Sequence, residues 1–218
     1  MRPVHRAKTV KKLFIVGAGG FGREVLSWAR DCESWGTEWN FCGFLDDDQN
    51  ALEGLLDDNA VADTIESYQP SDDHLLIIGL ADPRTKKRVI EELSERGALF
   101  TSMIHPSVII GQQVRLGKGA VLCPHSVITC DVNIGDYLSM NLHTSIGHDA
   151  RVGDYCHMNS YSEITGRCTI GNGVLFGSHA FILPGKKVGD LATVGAGSVV
   201  VRSVLEGRTV FGNPARAL

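Results

Sequence analysis

Residues 104–200 read, in groups of six, IHPSVI IGQQVR LGKGAV LCPHSV ITCDVN IGDYLS MNLHTS IGHDAR VGDYCH MNSYSE ITGRCT IGNGVL FGSHAF ILPGKK VGDLAT VGAGSV V. The first letter of every group is a large apolar residue, and the second is most often glycine. A period of six fits neither a lone helix nor a lone strand, whose side chains repeat about every 3.6 and 2 residues. It is typical of a chain that turns a corner once per group and points one aliphatic side chain inward each time, the hexapeptide β-helix repeat.

Three such groups make one triangular coil of about 18 residues, and successive coils stack about 4.8 Å apart. Glycine in second place is expected to supply corner backbone angles that a Cβ would forbid. Residues one coil apart form columns along the prism, and one column contains His125, His143, Tyr161 and His179. A sandwich of regularly spaced strands would instead alternate with period 2 and show turn clusters at wider spacing. The pattern therefore predicts an all-β parallel β-helix over residues 104–218, without a large inserted loop.

The composition restricts the class of protein. The chain has 218 residues, enough for two modest folding units, which we place at 1–103 and 104–218. A net charge of −4 without a basic block argues against binding to nucleic acid or a membrane surface, and no stretch has the length of a membrane span. The six cysteines form no CxxC pair, so we expect a reduced, cytoplasmic protein. Residues 1–8 are basic and are expected to be mobile.

The first hundred residues show a strand–glycine loop–helix pattern. An apolar run at 12–16 precedes the loop Gly17-Ala18-Gly19-Gly20-Phe21-Gly22 and a helical pattern at 23–30. Further strands are predicted at 41–45, 75–80 and 100–104, and a second helix at 85–96. This order predicts a Rossmann-like, doubly wound α/β half domain.

The half domain suggests a nucleotide site. Glycines let backbone N–H groups approach a phosphate at a helix N-terminus, and ligands of such sheets bind at the carboxyl ends of the strands. Only one half of a dinucleotide fold precedes residue 104, so a ligand with one nucleotide is favoured over NAD. The simpler alternative is that the glycines only pack the strand against the helix. The residues expected around the ligand are Gly17, Gly19, Gly22, Asp46, Asp47 and Arg84.

A candidate catalytic group lies within the repeats. His148 stands in the sequence Gly-His-Asp at a predicted corner, where a neutral imidazole could take a proton from an attacking amine or hydroxyl. Asp149 is a possible orienting group, or else a partner for Arg167 one coil above. Gly166 lies one coil above His148, so its N–H is a candidate donor to an oxyanion. The alternative is that His148 is an ordinary solvated histidine.

A metal site is the competing interpretation of these histidines. His143 and His148 are five residues apart, a spacing that resembles the gamma-class carbonic anhydrases. The third histidine of that set would fall at position 107, which is Ser107 here. With one of three ligands missing, a catalytic zinc is poorly supported, and we expect no metal.

The whole chain resembles a known family. The motifs are GAGGFGRE, FLDDD and IIGLADPR in the first part, Met140-Asn141 and Ile146-Gly147-His148-Asp149 in the repeats, and GNPAR at 212–216. Together they resemble the sialic acid O-acetyltransferase (NeuD)-type family of hexapeptide-repeat sugar acyltransferases. The closest pattern is that of the N-acetyltransferases for nucleotide-linked 4-amino-4,6-dideoxy sugars of the bacillosamine and perosamine type.

The resemblance implies an architecture and roles for residues. It implies a left-handed β-helix, a homotrimer with sites between prisms, and a place in surface-glycan (lipopolysaccharide or O-antigen) precursor synthesis. His148 matches the general base, Asp149 its acidic neighbour and Gly166 the oxyanion donor, while Asn141 lines the substrate site. Acetyl-CoA would lie along a groove containing His157, Gly177, Lys186, Lys187, Ala196, Arg202 and Pro214. One departure is Phe21, where the family's glycine loop often has histidine.

The expected activity is direct acetyl transfer from acetyl-CoA to the 4-amino group of a nucleotide-linked sugar. The closest alternative is O-acetylation of sialic acid or a related sugar hydroxyl. More remote alternatives are a metal-dependent hydratase and a non-catalytic nucleotide-binding scaffold.

Overall fold

The computed structural model describes residues 10–55 and 60–218, so the basic segment 1–8 lies outside the described residues. The chain forms two packed parts. We call residues 10–102 the head and residues 103–218 the prism.

The head is a four-stranded parallel sheet with two helices. Its strands lie in the order β3-β2-β1-β4, and its element bounds are β1 Lys11–Val16, α1 Gly20–Ala29, β2 Trp39–Leu45, β3 Val61–Asp63, β4 His74–Ile78 and α2 Pro83–Glu95. Leu13 and Ile15 of β1 pack in a cluster with α1, whereas Val16 packs in the cluster that contains α2. Because alternate side chains of a strand point to opposite faces, the helices cover opposite faces of the sheet. The predicted doubly wound half domain is confirmed, while the short β3 was not predicted.

The two helices begin differently. Asp82 caps α2, because its side chain accepts a hydrogen bond from the N–H of Thr85 (2.8 Å), and Pro83 occupies the first turn. At α1 the capping residue is Gly19, which has no side chain, and the first turn contains no acidic residue. The N–H groups at the start of α1 are therefore open to an anion, whereas a carboxylate already occupies the start of α2.

The predicted strand at 100–104 is confirmed only over Met103–Ile104. Phe100 makes only an isolated bridge to Leu76, and the chain then leaves the head. Met103–Ile104 pairs instead with Val121–Leu122, so it is the first strand of the prism. An apolar run does not reveal which of two sheets it joins.

The prism confirms the coil of three hexapeptides. Ile146, for example, pairs in parallel with Ile128 on one side and Ile164 on the other, an offset of one coil in each direction. Three sheets result, which we name the head face, the apolar face and the charged face. The head face consists of Met103–Ile104, Val121–Leu122, Ser139–Met140, His157–Met158, Leu175–Phe176, Thr193–Val194, Thr209–Phe211 and Arg216–Ala217. The apolar face consists of Ile109–Ile110, Val127–Ile128, Ser145–Ile146, Glu163–Ile164, Phe181–Ile182 and Val199–Val200. The charged face consists of Arg115–Leu116, Asn133–Ile134, Arg151–Val152, Thr169–Ile170 and Lys187–Val188.

The predicted inward positions form one continuous core. From Leu122 to Val200 every one of them is at most 6% exposed. Ile104 and Ile110 of the first coil are 38% and 42% exposed. These two residues stand at the amino-terminal end of the stack, where no coil lies below to cover them.

The prediction that glycine in second place supplies special corner backbone angles is wrong. None of the glycines in second place has a positive φ; the left-handed residue comes two positions later and is often not glycine, as at His125, Asp149 and Tyr161. The second position is instead crowded by the coil above. A Cβ on Gly147 would lie 2.6 Å from the nitrogen of Gly166, so close stacking of backbones, not backbone angle, requires glycine there.

Candidate active site

The prism has three corners, and each is named here by the side chains that it carries. The His148 corner, between the apolar and charged faces, comprises 111–114, 129–132, 147–150, 165–168 and 183–186. The aromatic corner, between the head and apolar faces, comprises 123–126, 141–144, 159–162, 177–180 and 195–198. The aspartate corner, between the charged and head faces, comprises 117–120, 135–138, 153–156, 171–174 and 189–192.

His148 and Asp149 form a hydrogen-bonded pair on an exposed corner. Nδ1 of His148 lies 2.7 Å from Oδ2 of Asp149, and both side chains are about half exposed, at 51% and 55%. A carboxylate can only accept, so Nδ1 carries the proton and Nε2 of the neutral ring is left as a base. Asp149 does not pair with Arg167 as the column allowed, because its carboxylate turns to the histidine.

Gly166 lies directly against the imidazole. A Cβ built on Gly166 would stand 2.6 Å from Nε2 of His148, and the N–H of Arg167 donates to the carbonyl of His148 (2.8 Å). No acceptor for the Gly166 N–H lies among residues 10–55 and 60–218. At the aspartate corner the equivalent N–H groups are occupied; for example, the backbone N–H of Asp136 donates to the carboxylate of Asp154 (2.7 Å). The His148 corner therefore combines a proton acceptor with a free backbone donor.

The thiol below the histidine is not activated. Cys130 lies one coil below His148 and is exposed. The neighbouring Asp131 raises the pKa of the Cys130 thiol, with a contribution from Asp149. A thiol kept protonated is a weak nucleophile, so the site favours direct transfer without an acyl-cysteine intermediate.

The glycine loop is braced by the acidic residues after β2. The Asp46 carboxylate accepts from the N–H of Ala18 (2.7 Å) and from that of Asp48 (3.0 Å), and Asp47 accepts from the N–H of Glu66 (3.2 Å). The predicted ligand residues Gly17, Gly19 and Asp46 are thus brought together at the carboxyl edge of the sheet. Gly22 is required by packing, because a Cβ there would collide with the carbonyl of Gly17. In this structure Asp46 holds the glycine loop in shape, whereas Asp47 holds the segment that follows β3.

Arg84 and Asn141 have neighbours other than the glycine loop. Arg84 stands in the first turn of α2 and lines a cavity with Gly173 and Thr209 of the prism. Asn141 is buried at the aromatic corner, where its Nδ2 donates to Glu24 of α1 (3.3 Å). Glu24 is the last residue of the GAGGFGRE motif, but only the packed head identifies it as a partner of Asn141.

His157 does not lie where a cofactor could touch it. Its side chain is fully buried on the head face, edge-on to Phe21 of the glycine loop with ring centroids 4.9 Å apart. Burial and the nearby Lys86 lower the pKa of His157 to about 3, so the ring is neutral. The expected contact between His157 and acetyl-CoA is therefore not available in this structure, because the head covers this part of the face.

The remaining residues expected at acetyl-CoA fall into two groups. Gly177, Ala196 and Pro214 follow strands of the head face and lie at the aromatic corner or its continuation. Lys186 and Arg202 follow strands of the apolar face, with Lys187 at the start of the charged face. The whole apolar face separates the two groups, so a single chain does not bring them together.

Sequence reasoning missed Lys86. Its amine is fully buried and donates to the carbonyls of Tyr137 (3.2 Å) and Cys156 (3.0 Å) and to the hydroxyl of Ser139 (3.0 Å). Burial lowers the pKa of Lys86 to about 7. The signal was available in the sequence, because position 86 belongs to the buried stripe of α2, where an apolar residue is expected.

His143 and His148, the two histidines of the competing metal interpretation, lie on different corners of the prism. His143 lies at the aromatic corner between the rings of His125 and Tyr161, at the opposite edge of the apolar face from His148. Within the described ranges 10–55 and 60–218, no three His, Cys, Asp or Glu side chains are grouped so as to hold a metal ion. Neither described helix is long and apolar enough to cross a membrane.

Known proteins share both parts of this architecture. Residues 12–93 match the PglD N-terminal domain family. The structure resembles WeeI from Acinetobacter baumannii AYE at 27% identity and a TM-score of 0.84, covering 96% of this chain and 100% of that one. It also resembles PerB from Caulobacter crescentus, solved in complex with CoA and GDP-perosamine, at 26% identity and a TM-score of 0.84, covering 96% and 98%.

A shorter match is to the galactoside O-acetyltransferase of Escherichia coli (strain K12), 42% identical over 50 residues. That segment is 23% of this chain and 25% of the relative, so it spans about a quarter of the relative's length. The two solved structures, by contrast, match the head and the prism together. Both parts of the chain are therefore similar to those of the nucleotide-amino-sugar acetyltransferases, in which a PglD-type head precedes a left-handed β-helix.

Proposed function

We propose that this protein transfers the acetyl group of acetyl-CoA to the 4-amino group of a nucleotide-linked 4-amino-4,6-dideoxy sugar. The observation that carries the proposal is the His148–Asp149 pair beneath the Gly166 N–H, in a chain similar over its whole length to a protein solved with CoA and GDP-perosamine. The product is a precursor of a surface glycan. A cytoplasmic location accords with the free thiols of all six cysteines.

The chemistry needs one base and one oxyanion donor. The amine nitrogen attacks the thioester carbonyl, and Nε2 of His148 accepts its proton while Asp149 stabilises the imidazolium that forms. The N–H of Gly166 donates to the tetrahedral oxyanion, a contribution typically worth about 3 kcal/mol. The carbon–sulfur bond then breaks, and the CoA thiolate leaves and takes the proton from His148.

The acceptor is held by the head. The open N-terminus of α1 suits the diphosphate, with Gly17, Gly19 and Gly22 letting the backbone approach it. Asp46 fixes the loop, Asp47 fixes the neighbouring segment at Glu66, and Arg84 offers a cation at the cavity beside α2.

We further propose that the active protein is a homotrimer. Four of the six outward side chains of the apolar face are apolar, namely Ile109, which is 63% exposed, Val127, Phe181 and Val199; the other two are Ser145 and Glu163. The charged face, by contrast, carries arginine and lysine. An apolar face of this kind is expected to be covered by another copy of the chain. Association through it would bring the His148 corner of one prism near the aromatic corner of the next. The two separated groups of acetyl-CoA residues would then line one groove.

The decisive test replaces the base. His148→Ala should lower kcat by two to four orders of magnitude, about the range for loss of general base catalysis, while CoA still binds. The assay follows release of the CoA thiol with UDP-, GDP- and dTDP-linked 4-amino sugars and with CMP-sialic acid as acceptors. Near-normal turnover by the variant would remove the base assignment, and turnover only with sialic acid would make O-acetylation the activity.

A further inference from the structure

The amino-terminal half of helix α1 carries two adjacent side chains of opposite charge. Arg23 and Glu24 are both exposed, and within residues 10–55 and 60–218 neither of them forms an ion pair. The guanidinium of Arg23 turns back toward the helix start, since its Nη2 would lie 4.0 Å from a Cβ built on Gly20. The helix therefore presents a positive charge at its start and a negative charge after it.

Glu24 lies where the head meets the aromatic corner of the prism. Its carboxylate accepts a hydrogen bond from Nδ2 of Asn141 (3.3 Å). Asn141 is only 8% exposed, and its Oδ1 accepts from the backbone N–H of Leu142 (2.7 Å), which fixes the amide with Nδ2 toward α1. A carboxylate has about four acceptor sites, so this one bond leaves most of the acceptor capacity of Glu24 free. The carboxylate is thus held in place and still open to a ligand.

The coil that contains Asn141 also contains the proposed base. Asn141 and His148 are seven residues apart on successive corners of one coil, so they stand at the same level of the prism. Rotation about a three-fold axis parallel to the prism preserves that level. In the proposed trimer, His148 of the partner subunit therefore faces the corner of Asn141 at the height of Glu24.

The length of α1 between its start and Glu24 matches the acceptor. The diphosphate is proposed to bind at the start of α1, and Glu24 follows Gly20 by four residues, about 6 Å of helix rise. Helical side chains lean toward the N-terminus, which brings the carboxylate back over the first turn. In a nucleotide-linked 4-amino sugar, one pyranose ring separates the diphosphate from the 4-amino nitrogen. A sugar ring lying along the first turn therefore places that nitrogen beside Glu24.

We propose that Glu24 binds the 4-amino group of the acceptor as an ammonium ion, and so selects a charged amine over a sugar hydroxyl and over the acetylated product. The inference rests on the proposed N-acetyltransferase function and names the group that recognises its acceptor. The diphosphate and the ammonium carry their charges in the order that Arg23 and Glu24 complement. Hydrogen bonds from an ammonium to a carboxylate are charge-assisted and stronger than neutral ones.

The same contact distinguishes substrate from product. The bound ammonium releases one proton to solvent before the nitrogen attacks, and His148 of the partner subunit takes the second proton. The nitrogen of the product is an amide without charge, so Glu24 holds the product less tightly than the substrate.

The test compares two ligands that differ only in the acetyl group, namely the UDP-, GDP- or dTDP-linked 4-amino sugar that the wild-type protein acetylates and its 4-acetamido product. Isothermal titration calorimetry of the full chain without acetyl-CoA gives the Kd of each. Glu24→Gln keeps an oxygen that accepts from Asn141 but has no charge. It should raise the Kd of the amine about five- to tenfold at pH 7 and leave the Kd of the acetamide unchanged.

A pH series separates the charge of Glu24 from a structural role. As the pH rises through the pKa of the ligand's amine, the ammonium is lost, so the wild-type Kd for the amine should rise toward that of Glu24→Gln. The Kd of the acetamide should stay constant in both proteins. A residue that only joined the head to the prism would, when replaced, weaken both ligands by the same factor at every pH.

Glu33→Gln is the matched control, because it makes the same change at an exposed carboxylate beyond the other end of α1 and should change neither Kd. Equal affinity of wild type and Glu24→Gln for the amine overturns the assignment, as does equal weakening of both ligands. If the wild-type protein acetylates none of the 4-amino sugars, the proposed function fails and this inference fails with it. If it acetylates one of them while Glu24→Gln binds that sugar like wild type, only the assignment of Glu24 fails.

Discussion

Gly166 shows how one missing side chain creates a site. The imidazole of His148 fills the space where a Cβ at position 166 would stand, 2.6 Å from Nε2. No acceptor for the Gly166 N–H lies among the described residues. At the aspartate corner the equivalent N–H groups are closed by an aspartate or asparagine of the next coil, as where the N–H of Asp154 donates to the side chain of Asn172 (2.8 Å). The candidate site differs from that corner in keeping its backbone donor free.

Gly166→Ala should displace the His148 ring. Since the contact is with a side chain at an exposed corner, the ring can rotate away, and the free energy of unfolding should change by less than about 1 kcal/mol. We expect kcat to fall at least about tenfold, because both base and donor lose their positions. Steady-state kinetics beside urea unfolding check this. Gln112→Ala, three coils below in the same column and exposed, is the control, and equal loss of kcat in both variants would contradict the assignment.

Helix α2 connects the head to the prism through a buried amine. Lys86 reaches two carbonyls and a hydroxyl on two successive coils, and no carboxylate in the described part of the chain is bonded to it. The cost of holding a charge there appears as the pKa of about 7. Below that pH the folded chain carries the charged amine at a cost, and above the unfolded pKa near 10.5 both states are neutral and the cost disappears.

Lys86→Met should therefore change the pH dependence of stability. Between about pH 7 and 10 the unfolded wild-type chain binds a proton that the folded chain does not, so its stability should rise with pH by up to about 1.4 kcal/mol per unit relative to the variant. Urea unfolding of both proteins at pH 7, 8 and 9 measures this difference. Parallel stability curves would show that Lys86 titrates normally when folded.

The coils of the prism differ in how much they contribute to stability. Ile110 and Ile128 are paired on successive coils of the apolar face, yet the first is 42% exposed and the second fully buried. Ile128→Ala should lower the free energy of unfolding by about 2 to 5 kcal/mol, the range for truncating a buried isoleucine. Ile110→Ala should cost less than half as much. Equal losses in chemical denaturation would mean that the first coil is covered in solution.

At the scale of the whole molecule, the three faces of the prism differ in what covers them. The head covers one face through Lys86 and through rings such as Phe100 against Tyr137 (5.5 Å between centroids). Charged side chains such as Arg115 and Arg151 keep the second in water. The third is apolar except at Ser145 and Glu163, and it carries the two sets of predicted cofactor residues on its opposite edges, which is the arrangement that self-association would complete.

Phe181→Glu should prevent that association. A carboxylate at position 181 would lie beside Glu163 of the coil below and lose its hydration without gaining a cationic partner, so the variant should be monomeric by light scattering and at least about tenfold less active. Thr169→Glu places the same charge at an equivalent outward position of the charged face and should retain wild-type mass and activity. A Phe181→Glu protein with the mass and turnover of wild type would show that the site is complete in one chain.

The sequence by itself determined the prism, its coil of three hexapeptides and the position of Gly166 above His148. These follow from short-range geometry, because each residue packs on its counterpart one coil away and the repeat records that contact. Only the tertiary structure decided that His157 is sealed beneath the head, that Lys86 links the two parts, and that the cofactor residues divide between two corners. Those outcomes depend on how surfaces far apart in the chain dock, and no periodicity in the sequence records that docking.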